Sequence, residues 1–216
     1  MSIPNFARAY KYVIQKLEEG LSPTLFYHNI HHTKNQVLRD TEVLAETEGV
    51  SAEEMVLLRT GALYHDLGFI KQYWDNEPLG VSIAEETLPT FGYTVGQIEI
   101  VRGLILATRI PQSPKNSLEQ ILCDADMYNL GGEETFWMAG DCLLRELLSH
   151  YKVIPMEFHP PYSIQEWWER QCRFLETHSY FTSAAQILRE EGKQRNLKSM
   201  RQLLHMFYQK NRQLSE

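Results

Sequence analysis

The chain has 216 residues, a formal net charge of −7 and a pI near 5.6. That balance argues against wrapping a nucleic-acid backbone, which needs a basic field, so no nucleic-acid polymer is expected as a partner. The three cysteines (Cys123, Cys142, Cys172) are odd in number, far apart and set among apolar residues. They fit buried thiols in a reducing compartment better than a disulfide frame or a zinc knuckle.

The N-terminal stretch "MSIPNFARAYKYVIQKLEEG" carries no apolar leader core, and no uncharged run approaches membrane-spanning length. The cytoplasm is therefore the expected location, with no membrane partner. "YHNIHHT" (27–33) then packs three of the chain's eight histidines into seven residues. "SAEEMVLLRTGALYHDLG" opens with Ser51 and Glu54 at the spacing of a capping box. Met55, Leu58 and Ala62 follow at helical spacing, and the next position on that stripe is His65, with Asp66 beside it.

"GQIEIVRGLILATRI" fits a helix through Ile98, Val101, Ile105 and Thr108 better than a strand. "NSLEQILCDADMYNLG" starts with Asn116 and Glu119, and Leu118, Ile121, Leu122 and Ala125 form its apolar stripe. At about 100° per residue, Asp126 falls on the edge of that stripe and Asp124 nearly opposite, towards solvent. "EETFWMAGDCLLRELLSHY" places Phe136, Gly140, Leu143, Leu147 and Tyr151 on one face. "SIQEWWERQCRFLETHSYF" repeats the capping spacing with Ser163 and Glu166, and Trp167, Phe174 and Phe181 carry His178 along their stripe. The basic residues from Arg189 to Arg201 are interrupted by Glu190 and Glu191, which fits a solvated helix face. Proline-punctuated loops ("IPQSPKNS", "VIPMEFHPPYS") separate the helices. Nothing reads as a linker. The expectation is an all-α bundle forming a single domain over 1–216, its core at about 25–132 and its C-terminal helices, about 133–213, packed on that core.

A lone inward histidine is more often a hydrogen-bonded core residue than a ligand. Here, however, His32, His65, Asp66 and Asp126 all fall near helix ends beside small or glycine residues. A carboxylate at the rim of a buried face must be compensated by a cation, donors or a metal. Two imidazoles and two carboxylates form a mixed nitrogen and oxygen set. It suits one divalent ion among Mn, Fe, Mg, Co, Ni and Zn, with water completing the shell.

The order His32, His65-Asp66, Asp126 resembles the HD-domain superfamily of metal-dependent phosphohydrolases, and Tyr27-His28-Asn29-x-x-His32 resembles the opening motif of the cyclic nucleotide phosphodiesterases. "YHNIHHT", "HDLGF", "ATRIPQSPKNSLEQILCDADMYNLG" and "RFLETHSYFT" look like one bacterial HD-domain subfamily, over about residues 25–200. The resemblance implies an HD-type helical fold with His32, His65, Asp66 and Asp126 as metal ligands. It implies His28 as the acid that protonates the leaving oxygen, and Asp66 also as the group that orients or deprotonates the attacking water. Four residues before His32, His28 is expected to share a helical face with it. His31 either orients a ligand or faces solvent.

The chain also departs from that pattern. Phe69 stands where many HD hydrolases carry a lysine. Asn76, before Glu77, and Arg109 stand where histidines of a second metal site often lie, which argues for one ion per chain. Arg109, Lys71 and Lys193 are candidate cations for a substrate phosphate, and His178 with Tyr180 could line the pocket. The expected activity is hydrolysis of a small phosphate ester, a nucleotide by preference, through a metal-activated water. The competing expectation is a non-catalytic module that binds a nucleotide or a partner as a sensor.

Overall fold

A computed structural model describes residues 4–160 and 163–213. Its described residues form helices and loops without a strand, as the 3.6-residue periodicity of the apolar positions requires.

Helix α1 (Phe6–Gly20) begins where the Asn5 side chain accepts from the Arg8 N–H, and it buries Ala9, Val13 and Leu17. A stretch of wide π turns, His32–Val37, runs directly into α2 (Leu38–Glu48), which Gly49 ends in the left-handed region (φ 73°). The capping box on Ser51 and Glu54 is present and starts α3 (Ala52–Tyr64). After α4 (Glu77–Thr87), a second box on Thr94 and Gln97, unnoticed in the sequence, starts α5 (Val95–Ala107). Asn116 caps α6 (Ser117–Asp126). Then come α7 (Glu133–His150), α8 (Ile164–Thr177) and the long α9 (Ser183–Gln213). No helix among the described residues is long and apolar enough to cross a membrane.

Helix α3 is the hub and lies against α1, α2, α5 and α6. Its inner face (Leu57, Leu58, Ala62, Leu63, Tyr64) is buried together with Leu104 and Ile105 of α5 and Ile121 and Leu122 of α6. Burial of this apolar surface is the main force holding the bundle. Helices α7, α8 and α9 come later in the chain, and α9 packs on α8, α2, α7 and the single turn Tyr128–Gly131 that follows α6.

Two apolar stripes end sooner than their spacing suggests. Phe181 is exposed because α8 stops at Thr177 and His178 is already extended (φ −71°, ψ 136°). Tyr151 is exposed because α7 gives way to a tight turn there. The "VIPMEFHPPYS" loop is described apart from Pro161 and Tyr162, which lie outside the described residues.

The architecture brings three helix ends to one place. His65 caps the C-terminus of α3, Asp126 is the last residue of α6, and His32 starts the π segment before α2. The two C-termini carry the negative ends of their helix dipoles, an environment that favours a cation.

Candidate metal centre

His32 owes its position to Asn29, whose side-chain oxygen accepts from the N–H groups of His31 and His32 (2.9 and 3.2 Å) and so caps the start of the segment. Asp66 follows His65 in the bridge region of backbone space (φ −103°, ψ 5°). The turn after it closes onto α4 so tightly that a methyl on residue 68 would run into the Asn76 carbonyl. Glycine is required there, and this is the structural content of the "HDLG" motif.

These backbones aim four side chains at one space. His32 Nε2 lies 3.2 Å from Asp126 Oδ1 and 3.7 Å from Asp66 Oδ2. His65 Nε2 lies 3.1 Å from Asp66 Oδ2 and 3.7 Å from Asp126 Oδ1. Ligand atoms about 2.1 Å from a first-row ion stand roughly 3–3.4 Å apart; His32, His65 and Asp66 offer ligand atoms all within 4.8 Å of one another, so these three could hold an ion, with Asp126 approaching it from the side of the two imidazoles. The outer nitrogens are already engaged: His65 Nδ1 donates to the Ala62 carbonyl (2.8 Å) and His32 Nδ1 pairs with Gln36 Oε1 (3.1 Å). Each bond turns Nε2, the metal-binding atom, inward.

His65 Nε2 and Asp66 Oδ2 are buried and make no hydrogen bond among the described residues. Their near partners are each other and the remaining candidate ligands, and an ion that accepts both lone pairs would satisfy them better than a poorly directed ion pair does. Burial works against a charged His65, but the Asp66 and Asp126 carboxylates outweigh it and lift the imidazole to about 9. Burial likewise pushes Asp66 up, yet His65 beside it, with His28 and His32, holds it well below the usual carboxylate range. A proton on His65 therefore balances the charge when the centre is metal-free, and a cation replaces it on loading.

His28 stands at the edge of this ring, its imidazole 5.9 Å from that of His32, centroid to centroid. The proximity does not come from a shared helical face, because residues 26–29 form a bend before the first helical turn. His28 is stacked on Phe69 (4.5 Å, 22°), so the residue expected to stand at a lysine position of many HD hydrolases is a wall for this imidazole.

His28 Nδ1 meets Glu146 Oε1 at 2.5 Å, and Glu146 Oε2 accepts from the backbone N–H groups of Tyr27 and His28 (2.8 and 3.0 Å). Burial disfavours a charged His28, but Glu146 overrides it and lifts the imidazole to about 9. Glu146 is fully buried and went unseen in the sequence. It sits at the edge of the α7 stripe in "LLRELLSH", where an acid ordinarily faces water.

No protein-family model matches the sequence, and no curated protein matches it significantly. Among solved structures, a predicted HD superfamily hydrolase from an uncultured Thermotogales bacterium superposes with a TM-score of 0.60 at 18% identity, over 94% of each chain. YpgQ of Bacillus subtilis, solved in complex with ADP, superposes with a TM-score of 0.58 at 20% identity, over 92% of this chain and 95% of its own. The chain has the HD-domain fold.

Within the HD fold, the remaining sequence-derived residues divide sharply. Asp124 does not face solvent. It is fully buried, and its carboxylate accepts from the Phe181 N–H (2.9 Å), the Thr182 N–H and the Thr182 hydroxyl (both 2.7 Å). The error was to assume that the face of α6 opposite its stripe meets water, when the chain entering α9 covers it. His31 is exposed and paired with Asn35 (2.9 Å), so it faces solvent.

Arg109 is not free to meet a phosphate, because it pairs with Asp75 at 2.7 Å and is largely exposed. Lys193 is buried, its ammonium spent on the His178 carbonyl (2.7 Å) and on Glu190 (2.9 Å). His178 packs between Phe174 and Tyr180, and burial with the nearby Lys193 lowers its imidazole to about 4. Lys71 is exposed on the turn after the motif. None of these four lines the small cavity that borders His32 and Asp126. Glu77 is a further acid of the site: its Oε2 is buried without a hydrogen bond among the described residues, and burial, with Asp66 nearby, raises its carboxyl.

Proposed function

We propose that this protein is a metal-dependent phosphohydrolase acting on a small phosphate ester, with a nucleotide as the preferred class. The observation that carries the reading is the convergence of His32, His65, Asp66 and Asp126 beside a His28 imidazole held by a buried carboxylate. The HD fold, and a neighbour of that fold solved with ADP, support it. The cytoplasm, with its reduced thiols, is the proposed compartment.

A divalent ion held by the four ligands supplies a Lewis acid and a water of lowered pKa. The chain's own residues do the rest. Asp66, anionic and buried, orients the attacking water and takes its proton. His28, kept protonated near neutral pH by Glu146, donates a proton to the leaving oxygen. Glu146 acts through His28: it fixes the ring through Nδ1 and leaves Nε2–H as the acid.

A phosphatase and phosphodiesterase panel tests the activity. Turnover that is lost on chelation and in Asp66→Ala is the expected result. Tight nucleotide binding without turnover in the metal-loaded chain selects the sensor instead. We further infer one ion per chain, because the second-metal positions carry Asn76, a neutral amide, and Arg109, a permanent cation. Elemental analysis of protein purified without chelator is expected to find about one transition metal per chain.

The role of Glu146 has its own signature. Glu146→Gln removes the negative charge that raises His28, so burial draws the imidazole down. The alkaline limb of the kcat/KM profile is expected to move acidward by roughly one unit or more. Wild type and variant are compared with the same metal, whose charge shifts both limbs in the same direction. An unmoved limb removes His28 as the titrating acid.

A further inference from the structure

The cavity beside the metal centre is bordered by His32 and Asp126, and also by Arg39, Asp40, Tyr128 and Arg189, but not by His28. A phosphate ester brings negative charge to a centre whose ligands already include two carboxylates, so its recognition needs a cation that is not otherwise spent. Arg39 does not qualify: it is bonded to Asp40 through Nε and Nη2 (3.1 and 2.9 Å). Asp40, the acid that shares the cavity with Arg189, gives one carboxylate oxygen to those two bonds. Burial raises its carboxyl, and Arg39 and, from nearby, Arg189 draw it back, with no bonded pair between Asp40 and Arg189 among the described residues.

Arg189 differs. Its guanidinium lies flat on the Tyr128 ring, 3.7 Å from the centroid, and its buried Nε makes no hydrogen bond among the described residues. The orientation is built by the backbone. Helix α9 crosses the turn after Asp126 so closely that a methyl on Gly192 would run into the Gly131 carbonyl. Asn196 clamps the same crossing by donating to the Leu130 and Gly132 carbonyls (2.8 and 2.9 Å). A stacked, pre-oriented guanidinium loses little freedom on binding an oxyanion and presents a fork of donors to it.

We propose that this cavity is a phosphate subsite and that Arg189 is its recognition residue, gripping a phosphate group of the substrate beside His32 and Asp126. The inference rests on the phosphohydrolase reading and extends it by assigning the residue that selects for phosphate. It also replaces Arg109, Lys71 and Lys193 in that role.

The test is calorimetric titration of the metal-loaded full chain with inorganic phosphate. Arg189→Met keeps an apolar stem over Tyr128 and is expected to weaken phosphate binding about tenfold or more, with metal content unchanged. Arg195→Met is expected to leave it within about twofold, because Arg195 is exposed, already paired with Glu191 and outside the cavity lining. Because Arg189→Met could disturb the α9 crossing, the wild-type chain gives a second readout. An arginine-selective dicarbonyl reagent, mapped by mass spectrometry, should modify Arg189 less when phosphate is present, while Arg195, outside the cavity lining, is modified equally with and without it. Wild-type phosphate affinity in folded Arg189→Met, or an Arg189 that phosphate does not protect, overturns the proposal. The two readings fail separately. Ester turnover with phosphate binding indifferent to Arg189 removes the subsite alone, whereas Arg189-dependent phosphate binding without turnover removes the enzyme and keeps the subsite.

Discussion

His28→Gln is expected to lower turnover by about 10²–10⁴-fold on alkyl phosphates and nucleotides, the range that general acid catalysis supplies. Metal content should be unchanged, since His28 stands outside the ligand ring. Glutamine suits this test because its amide can still donate to Glu146, so the buried carboxylate is not left bare, whereas alanine would remove that partner altogether. The loss should depend on the leaving group. An alkoxide must be protonated as it departs, but an aryl oxide leaves with little help. An aryl phosphate should therefore retain most of its rate in the same variant. Equal losses on the two kinds of ester would remove His28 from the mechanism and leave Glu146 as a purely structural anchor.

Exchange of the two aspartates of α6 should produce opposite failures. Asp126→Ala deletes a proposed ligand that lies near both imidazoles (3.2 and 3.7 Å), and stoichiometric metal binding by calorimetry is expected to vanish while the fold persists. Asp124→Ala leaves three donors around residues 181 and 182 without their acceptor. Each buried donor left unpaired costs about 1–3 kcal/mol, so a loss of roughly 3–5 kcal/mol and a Tm lower by roughly 6–20 °C are expected. The folded fraction of that variant should still bind metal. Asp124→Asn, which keeps an acceptor, should fall between. If Asp124→Ala lost metal while keeping its Tm, the assignment of ligand and anchor would be reversed.

The proposed ligand set drew on local marks for two of its members. His65 continues a helical stripe and Asp126 sits at a stripe edge, whereas His32 entered through the histidine-rich "YHNIHHT" and the resemblance it carries. The helix starts at Ser51, Asn116 and Ser163 were equally plain, since an N-cap is a contact between residues three apart. Asp124 was misplaced by the same reasoning that placed Asp126. Helical phase measures the angle between two side chains and says nothing of what covers the far side, here the Phe181–Thr182 entry to α9. Arg109 and Lys193 looked available because a pairing partner such as Asp75 or Glu190 need not declare itself in the sequence.

By itself, then, the sequence determined the all-α class and the helix starts at Ser51, Asn116 and Ser163, and it supplied the four residues proposed to hold an ion. These are set by period, capping chemistry and donor type, all short-range quantities. Only the tertiary structure decided that Glu146 reaches back 118 residues to His28, that Asp124 anchors α9, and that Arg189 lies over Tyr128 beside the centre. Each of these depends on which helix packs where, a choice made by the joint burial of α3, α5 and α6 and by the glycine crossing of α9. A glutamate on α7 and an arginine on α9 look like solvated charges until that packing closes over them.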